Sequence, residues 1–354
     1  MSYPARWWHA TDDGRLQCDL CPRDCRLADG QRGMCFVRAR EGDRMVLTTY
    51  GRSSGFALDP IEKKPLHHFY PGTSVLSFGT AGCNLACKFC QNWDISKSRE
   101  MDRLTDAASP EAIARAAERA GATSVAFTYN DPVIFAEYAL DVADACHALG
   151  IHTVAVTAGY IHAEPRRAFY AAMDAANVDL KAFTDEFYRK TCAAELAPVL
   201  DTLRYLVHET AVWTEITTLL IPGKNDSDAE VGALAAWVAS ELSPDVPLHF
   251  TAFHPDYRMR DVPHTPVATL QRARRRALAE GLRFVYTGNV HDREGDTTSC
   301  PGCGAAVIER DWYDILAARL DGNACAACGT PIPGRFGAAV GQFGRRRMRV
   351  VIAD

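Results

Sequence analysis

Long apolar runs are missing from this 354-residue chain: no stretch approaches the ~18 apolar residues that a membrane-spanning helix needs. The opening MSYPARWWHATDDGR lacks the charged-then-apolar pattern of a secretory leader. A surplus of basic charge is missing too. Lys plus Arg number 39 against 44 Asp plus Glu, a net of −5, which disfavours a nucleic-acid partner. No membrane association is expected, and the expected location is cytoplasmic. The remaining composition, 47% hydrophobic and 23% charged, is that of a globular protein and excludes wholesale disorder or a collagen-like chain. The length suits two or three domains.

Cysteine, by contrast, is abundant: thirteen residues. In a reducing compartment, metal or redox chemistry explains them better than disulfides. Eleven fall into three groups: Cys18, Cys21, Cys25 and Cys35; Cys83, Cys87 and Cys90; and Cys300, Cys303, Cys325 and Cys328. Cys146 and Cys192 stand alone within helical patterns and are expected to pack as small apolar residues.

Residues 1–73 read as an irregular cysteine-bearing region with a few short strands such as Met45–Tyr50. Residues 74–296 alternate between strands and helices. Candidate strands are Val75–Phe78, Ser124–Thr128, His152–Thr157, Asn177–Leu180, Val212–Thr218, Leu248–Ala252 and Arg283–Tyr286. Between them, Ile134, Phe135, Tyr138 and Val142 recur at helical spacing, as do Val231, Leu234, Ala235, Val238 and Leu242. The alternation predicts an α/β class with parallel strands and right-handed crossovers. Seven strands are one short of a closed eight-stranded barrel, which leaves a partial barrel or an open sheet; a doubly wound sheet is the alternative. Residues 297–334 form a small cysteine-bearing module. Residues 335–354 carry Arg335, Arg345, Arg346, Arg347 and Arg349 against one acid, Asp354, and read as a basic flexible tail.

The three-cysteine group lies in SFGTAGCNLACKFCQNW, directly after the first parallel strand, with spacing C-x3-C-x2-C. An iron–sulfur cube holds four irons, so three thiolates leave one iron open to an exogenous ligand. Gly79 and Gly82 would let the backbone wrap closely around an inorganic core. A zinc knuckle with a distant fourth ligand, or three merely buried cysteines, are the alternatives. In barrel-like proteins chemistry gathers at the carboxyl ends of the strands. Polar motifs follow each strand here: TYNDP (Thr128–Pro132), TAGY (Thr157–Tyr160), DLK (Asp179–Lys181), IPGKND (Ile221–Asp226), FHPDY (Phe253–Tyr257) and TGN (Thr287–Asn289). Asp131-Pro132 also reads as a helix start. Asp179 and Lys181, two apart, share one face of their strand and point into the barrel mouth; a simple ion pair is the plainer reading. His254 is a site candidate or a loop histidine.

With Phe89 directly before Cys90, C-x3-C-x-aromatic-C resembles the hallmark of the radical S-adenosylmethionine (SAM) superfamily. The ordered set DPIEKKPLHHFYPG, GCNLACKFCQNWDIS, TYNDP, VTAGY, DLKAF, TTLLIPGKND, FHPDYRM and YTGNV resembles its "AmmeMemoRadiSam system" subgroup, related to pyruvate formate-lyase activating enzymes, over about residues 15–335. The resemblance implies a partial (β/α)6-type barrel and a [4Fe–4S] cluster on Cys83, Cys87 and Cys90. SAM would be cleaved reductively to a 5′-deoxyadenosyl radical that abstracts hydrogen. It implies SAM contacts at Phe89, Asn130, Asp131, Asp179, Lys181 and His254, a flavodoxin or ferredoxin reductant, and partner proteins of the Memo and AMMECR types. Two departures are visible. The fifth strand, TEITTLL, lacks the arginine of the activases, and Ala158 stands where relatives often have Asn.

Cys300-x2-Cys303 and Cys325-x2-Cys328, 21 residues apart and each followed by glycine, have zinc-ribbon spacing and point to a structural Zn²⁺. A rubredoxin-like iron site or an auxiliary cluster is the alternative. The N-terminal set, C-x2-C-x3-C-x9-C, fits either a short zinc site or an auxiliary iron–sulfur cluster that relays electrons. Trp7 and Trp8 are expected to cover it. QRARRR (Gln271–Arg276) reads as a solvated helix face, with a phosphate or RNA contact as the alternative. His67 and His68 either line the mouth of the site or pack. Three function classes remain: a radical enzyme acting on a protein or peptide, with a small molecule or RNA as the nearest rival substrate; a zinc-ribbon scaffold or binding protein; and an electron carrier.

Overall fold

A computed structural model describes residues 2–97, 104 and 106–352 of the chain. At its centre lies a nine-stranded sheet made of β1 (Phe56–Pro60), β2 (Ser74–Phe78), β3 (Ser124–Phe127), β4 (His152–Thr157), β5 (Ala175–Asp179), β6 (Trp213–Leu220), β7 (Leu248–Ala252), β8 (Val285–Gly288) and β9 (Met348–Val350). Strands β2 to β8 match the seven candidate runs, are parallel, and lie side by side in chain order. That order excludes the doubly wound alternative, in which strand order reverses at a switch point. β1 is antiparallel to β2, and β9 is antiparallel to β1. Among the described residues no pairing joins β8 to β9, so the barrel is partial.

Six helices cover the outside: α1 (Pro110–Arg119), α2 (Ala136–His147), α3 (Ala163–Ala171), α4 (Ala197–Glu209), α5 (Asp228–Trp237) and α6 (Val267–Ala279). Each follows a strand from β2 to β7, giving six strand–helix units and a seventh strand. α1 illustrates the local code. Ser109 caps it by accepting from Ala112 N, and Pro110 opens the first turn. Its buried face is Ala112, Ile113, Ala116 and Ala117, small enough to lie close to the sheet. Three of the four arginines of α6 are engaged within the chain: Arg272 with Asp228, Arg274 with Val285 O, and Arg276 with Glu280, while Arg275 is exposed.

The sheet begins before Ser74, because β1 lies within residues 1–73, the expected irregular N-terminal region. Between β1 and β2 the chain forms the barrel floor. The carboxylate of Glu215, on β6, accepts from His67 N at 3.0 Å and His68 N at 2.8 Å, and Asn177 Nδ2 donates to Pro65 O. His67 and His68 therefore pack beneath the site instead of lining its mouth. The module over 297–334 contains an antiparallel sheet of Thr298–Ser299, Ala306–Asp311 and Asp314–Ala318. It docks on the floor through the fully buried Arg310, which donates to His67 O and Thr298 Oγ1, both at 2.8 Å.

The expected flexible tail needs correction over its described residues, 335–352. Phe343 N donates to Gly72 O, Arg345 pairs with Asp314, and Met348–Val350 forms β9 on the sheet edge. An exposed strand edge is a row of unmet backbone donors and acceptors, and the tail pairs with it. Residues 353–354, with Asp354, lie outside the described residues.

Candidate active site

Residues two apart on a strand share a face, so the barrel interior is read off in steps of two. On β5 to β7 the inward positions are Asn177 and Asp179, Glu215 and Thr217, and His249 and Thr251. The first of each pair belongs to the floor. Asp179, Thr217 and Thr251 line a cavity of about 370 Å³ above it, at the carboxyl ends of the strands. The same cavity is lined by Cys83, Cys87, Phe89 and Cys90 from the loop after β2, by Thr128–Asp131 after β3, by Thr157 and Ala158 after β4, and by Lys181 and Asn289. One cavity therefore gathers the three thiols and most of the expected SAM contacts. His254 is not among its walls; it stands exposed, with its ring 6.3 Å from that of His264.

Two glycines set the cysteine loop, but by approaching protein backbone. A Cβ on Gly79 would lie 2.3 Å from Thr128 O, and one on Gly82, at φ +83°, would lie 2.0 Å from Cys35 O. Asn130 holds this turn: its Oδ1 accepts from Thr80 N at 3.1 Å and its Nδ2 donates to Gly82 O at 2.8 Å. Asp131 takes three donors, Val133 N, Thr157 Oγ1 and Ala158 N, each at 3.0 Å. It thus caps the helical turn Pro132–Phe135 and ties the β3 loop to the end of β4. Burial pushes its carboxyl above the usual range against those donors. Both side chains line the cavity, but their polar atoms brace its wall.

Asp179 and Lys181 do meet, at 2.5 Å. Burial alone would lower the Lys181 ammonium, but the Asp179 carboxylate and the nearby Cys87 sulfur raise it, so it is held charged. Asn225 of the IPGKND loop fixes the backbone here by donating to Lys181 O at 2.8 Å. Lys97, not singled out in the sequence, also lines the cavity and donates to Leu85 O in the cysteine loop.

The three thiols differ. Burial raises Cys83, to about 12, and Cys90. Cys87 is lowered, first by a hydrogen bond from the Cys192 thiol and then by the Lys181 and Lys97 ammoniums, against burial. Cys192 is fully buried, and its segment is clamped to the loop by Ala86 N to Cys192 O (2.9 Å) and Lys88 N to Thr191 O (3.0 Å). Cys192 packs in the apolar core as expected, and its place against the cysteine loop is one that no sequence spacing signals. Cys146 does pack as read, fully buried in α2.

The donor set suits a [4Fe–4S] cluster and SAM. Three cysteines face one cavity that also holds a charged lysine–carboxylate pair, and two of its buried polar atoms, Gln91 Nε2 and Thr217 Oγ1, have no partner among the described residues. At the C-terminal set the sulfurs of Cys300, Cys303, Cys325 and Cys328 all lie within 4.8 Å of one another, the spacing of a single-ion site. Tyr313, on the turn of that module's hairpin, reaches the wall of the cavity.

A family model described as the Radical SAM superfamily matches residues 78–234. An uncharacterized protein of Methanocaldococcus jannaschii is 40% identical over 330 residues, covering 93% of this chain and 98% of its own. The pyruvate formate-lyase 1-activating enzyme of Escherichia coli K12 is 26% identical over 168 residues, 45% of this chain and 65% of the enzyme. Among solved structures, a radical SAM methyltransferase from Sphaerobacter thermophilus is similar in fold, with a TM-score of 0.50 and 18% identity over 82% of this chain and 78% of that one. The N-terminal and C-terminal cysteine sets lie outside the segment that the family model matches.

Proposed function

Since this chain belongs to the radical SAM superfamily, and is related to activating enzymes among other members, we propose that it abstracts hydrogen from a protein or peptide substrate in the manner of a glycyl-radical activase. With a [4Fe–4S] cluster on Cys83, Cys87 and Cys90 and SAM bound beside it, the chemistry supplied is one-electron cleavage of the sulfonium to methionine and a 5′-deoxyadenosyl radical. The chain's own residues bind and orient. Lys181 offers a fixed ammonium to the SAM carboxylate, and Asp179 offers acceptors to its amino or ribose groups. Thr217 and Gln91 supply unpaired polar atoms to the bound molecule. Asn130 and Asp131 keep the loops that carry these groups in register. The reductant is a flavodoxin or ferredoxin, and proteins of the Memo and AMMECR types are the candidate partners. The C-terminal set holds Zn²⁺.

The observation that carries this reading is the single cavity shared by three thiols and the Asp179–Lys181 pair. The test is anaerobic. Reduced, cluster-loaded protein is given SAM with a candidate partner protein grown in deuterated medium. Deuterium in the deoxyadenosine, or a partner radical by electron paramagnetic resonance (EPR), is expected. Deoxyadenosine formed with only solvent-derived hydrogen, whichever partner is added, would count against a protein substrate; no deoxyadenosine at all would count against the chemistry.

A further inference from the structure

Parts of the chain outside the segment that the family model matches also reach the catalytic region. Cys18, Cys21, Cys25 and Cys35 line a separate small pocket, whereas Lys63, Lys64 and Tyr313 enter the wall of the catalytic cavity itself. The two lysines come from DPIEKKP, the connection between β1 and β2. Cluster and SAM binding leave this motif without a role.

Its arrangement concentrates positive charge on the cavity. Asp59, fully buried on β1, stands behind the lysines and does not line the cavity. Its carboxylate accepts from Lys63 Nζ at 2.9 Å, from Lys64 Nζ at 2.8 Å and from Tyr129 Oη at 3.0 Å. One carboxylate thus answers two ammoniums, and the exposed Arg347 stands 3.9 Å from it. Lys64 is 2% exposed, and Asp59 is its one acceptor among the described residues, so two of its three N–H donors are left over. Buried charge is costly unless it is paired and hydrogen-bonded. Burial accordingly lowers this ammonium to about 8 against the pull of Asp59. The Asp179–Lys181 pair, one carboxylate to one ammonium, carries no such surplus.

Tyr313 completes this wall. It sits on the turn between Ala306–Asp311 and Asp314–Ala318, in the module that Arg310 anchors to the floor. Burial, and then the carboxylates of Asp296, Asp59 and Glu62, raise its phenol to about 12, so it remains a donor. Its hydroxyl has no hydrogen-bond partner among the described residues. Cluster and SAM binding are common to the superfamily and belong to the shared segment. Lys63, Lys64 and Tyr313 lie outside that segment and suit what is particular to this chain. We infer that Lys64 and Tyr313, assisted by Lys63, form the substrate side of the cavity and bind a carboxylate of the substrate. One surplus buried charge beside a neutral donor matches a carboxylate monoanion better than a phosphate dianion. This assignment rests on the proposed peptide substrate, whose carboxylate is supplied by an acidic side chain or by a chain terminus.

Calorimetry on anaerobic, unreduced full-length protein loaded with cluster and SAM reads binding without turnover. The probes are N-acetyl-Gly-Glu-Gly-amide, its Gln counterpart, N-acetyl-Gly-Gly-Gly with a free carboxyl end, its C-terminal amide, and inorganic phosphate. At least one carboxylate peptide should bind roughly tenfold more tightly than its neutral counterpart, and the tighter of the two identifies the source. Lys64→Met should abolish the preference, and Tyr313→Phe should weaken it about threefold. The Kd for SAM should change less than about twofold in both variants. Neutral peptides that bind as well, phosphate bound in preference, or no carboxylate binding up to about 10 mM overturn the assignment. So does a roughly tenfold loss of SAM affinity in Lys64→Met, which would make this ammonium a SAM ligand. Tyr313→Phe keeps its ring and reads the same wall if Lys64→Met does not fold. Absence of deoxyadenosine from the reduced wild type strikes the proposed function, whereas carboxylate binding is scored without any turnover.

Discussion

Lys181 is where charge, burial and position converge. Its ammonium is held by Asp179 at the end of β5 and faces the cavity. Lys181→Met keeps the stem and removes the charge. A hydrogen bond to a charged group contributes about 1.5–3 kcal/mol, so SAM affinity should fall roughly 10- to 100-fold. Calorimetry on cluster-loaded protein measures this, and an unchanged Kd removes Lys181 from the SAM site. Cys192 acts differently, through Cys87. A hydrogen bond to a ligating sulfur raises a cluster's potential. Cys192→Ala should therefore keep its iron content and show a more negative midpoint in an EPR-monitored titration. An unshifted midpoint would mean that the thiol merely fills space.

Among the elements, the loop after β3 has its tightest joint at Asp131, whose carboxylate satisfies three donors from two segments. Asp131→Ala strands those donors in a buried wall and should cost about 3 kcal/mol, read as a lower urea midpoint. Asp131→Asn, which keeps one acceptor oxygen, should recover about half of it. If alanine costs no more than asparagine, the joint is not a brace. Asp131-Pro132 already announced a helix start, because an N-cap before proline is a local signal. The seven parallel strands were legible for a similar reason: runs of apolar residues alternate with helical spacing at the distances that crossovers require. The edge strands were not. β1 lies in a region whose short strands gave no period, and β9 is an arginine-rich segment that becomes a strand only because β1 has a free edge. The rim motifs were legible as a set, since the carboxyl ends of parallel strands converge. Their division of labour was not: Asn130 and Asp131 turn inward to brace, Asp179 and Lys181 remain available to a ligand, and His254 stands outside. The pairing of Cys192 with Cys87 and the reach of Tyr313 both depend on contacts between distant segments.

At the scale of the whole molecule, the floor joins barrel, connecting segment and C-terminal module in one buried polar network, and its titration is balanced. Burial lowers His67 well below the ordinary imidazole value and His68 to about 4 from 6.5. As pH falls below about 6.5 the unfolded chain binds protons that these two refuse, so stability drops. Asp296, bonded to His67 at 2.6 Å, and Glu62 are raised by burial to about 7. Over the same range they hold protons that the unfolded chain does not, so stability rises. Two groups act in each direction, at no more than about 1.4 kcal/mol per pH unit each. From about pH 6.5 to 4.5 the wild type should therefore be nearly flat. Below that, Glu215 and Asp59 take over. Burial would raise both, but Glu215's histidine contacts and Asp59's pairing with Lys64 and Lys63 hold each at about 2. Their stabilisation is lost as pH falls from about 4.5 to 2. The balance can be tipped from either side. His68→Gln removes one falling contribution, so its stability should rise on acidification from pH 6.5 to 4.5. Asp296→Asn removes one rising contribution, so its stability should fall over the same range. Urea midpoints at a series of pH values measure both slopes, and parallel curves for the two variants would mean that these buried groups do not titrate in opposition.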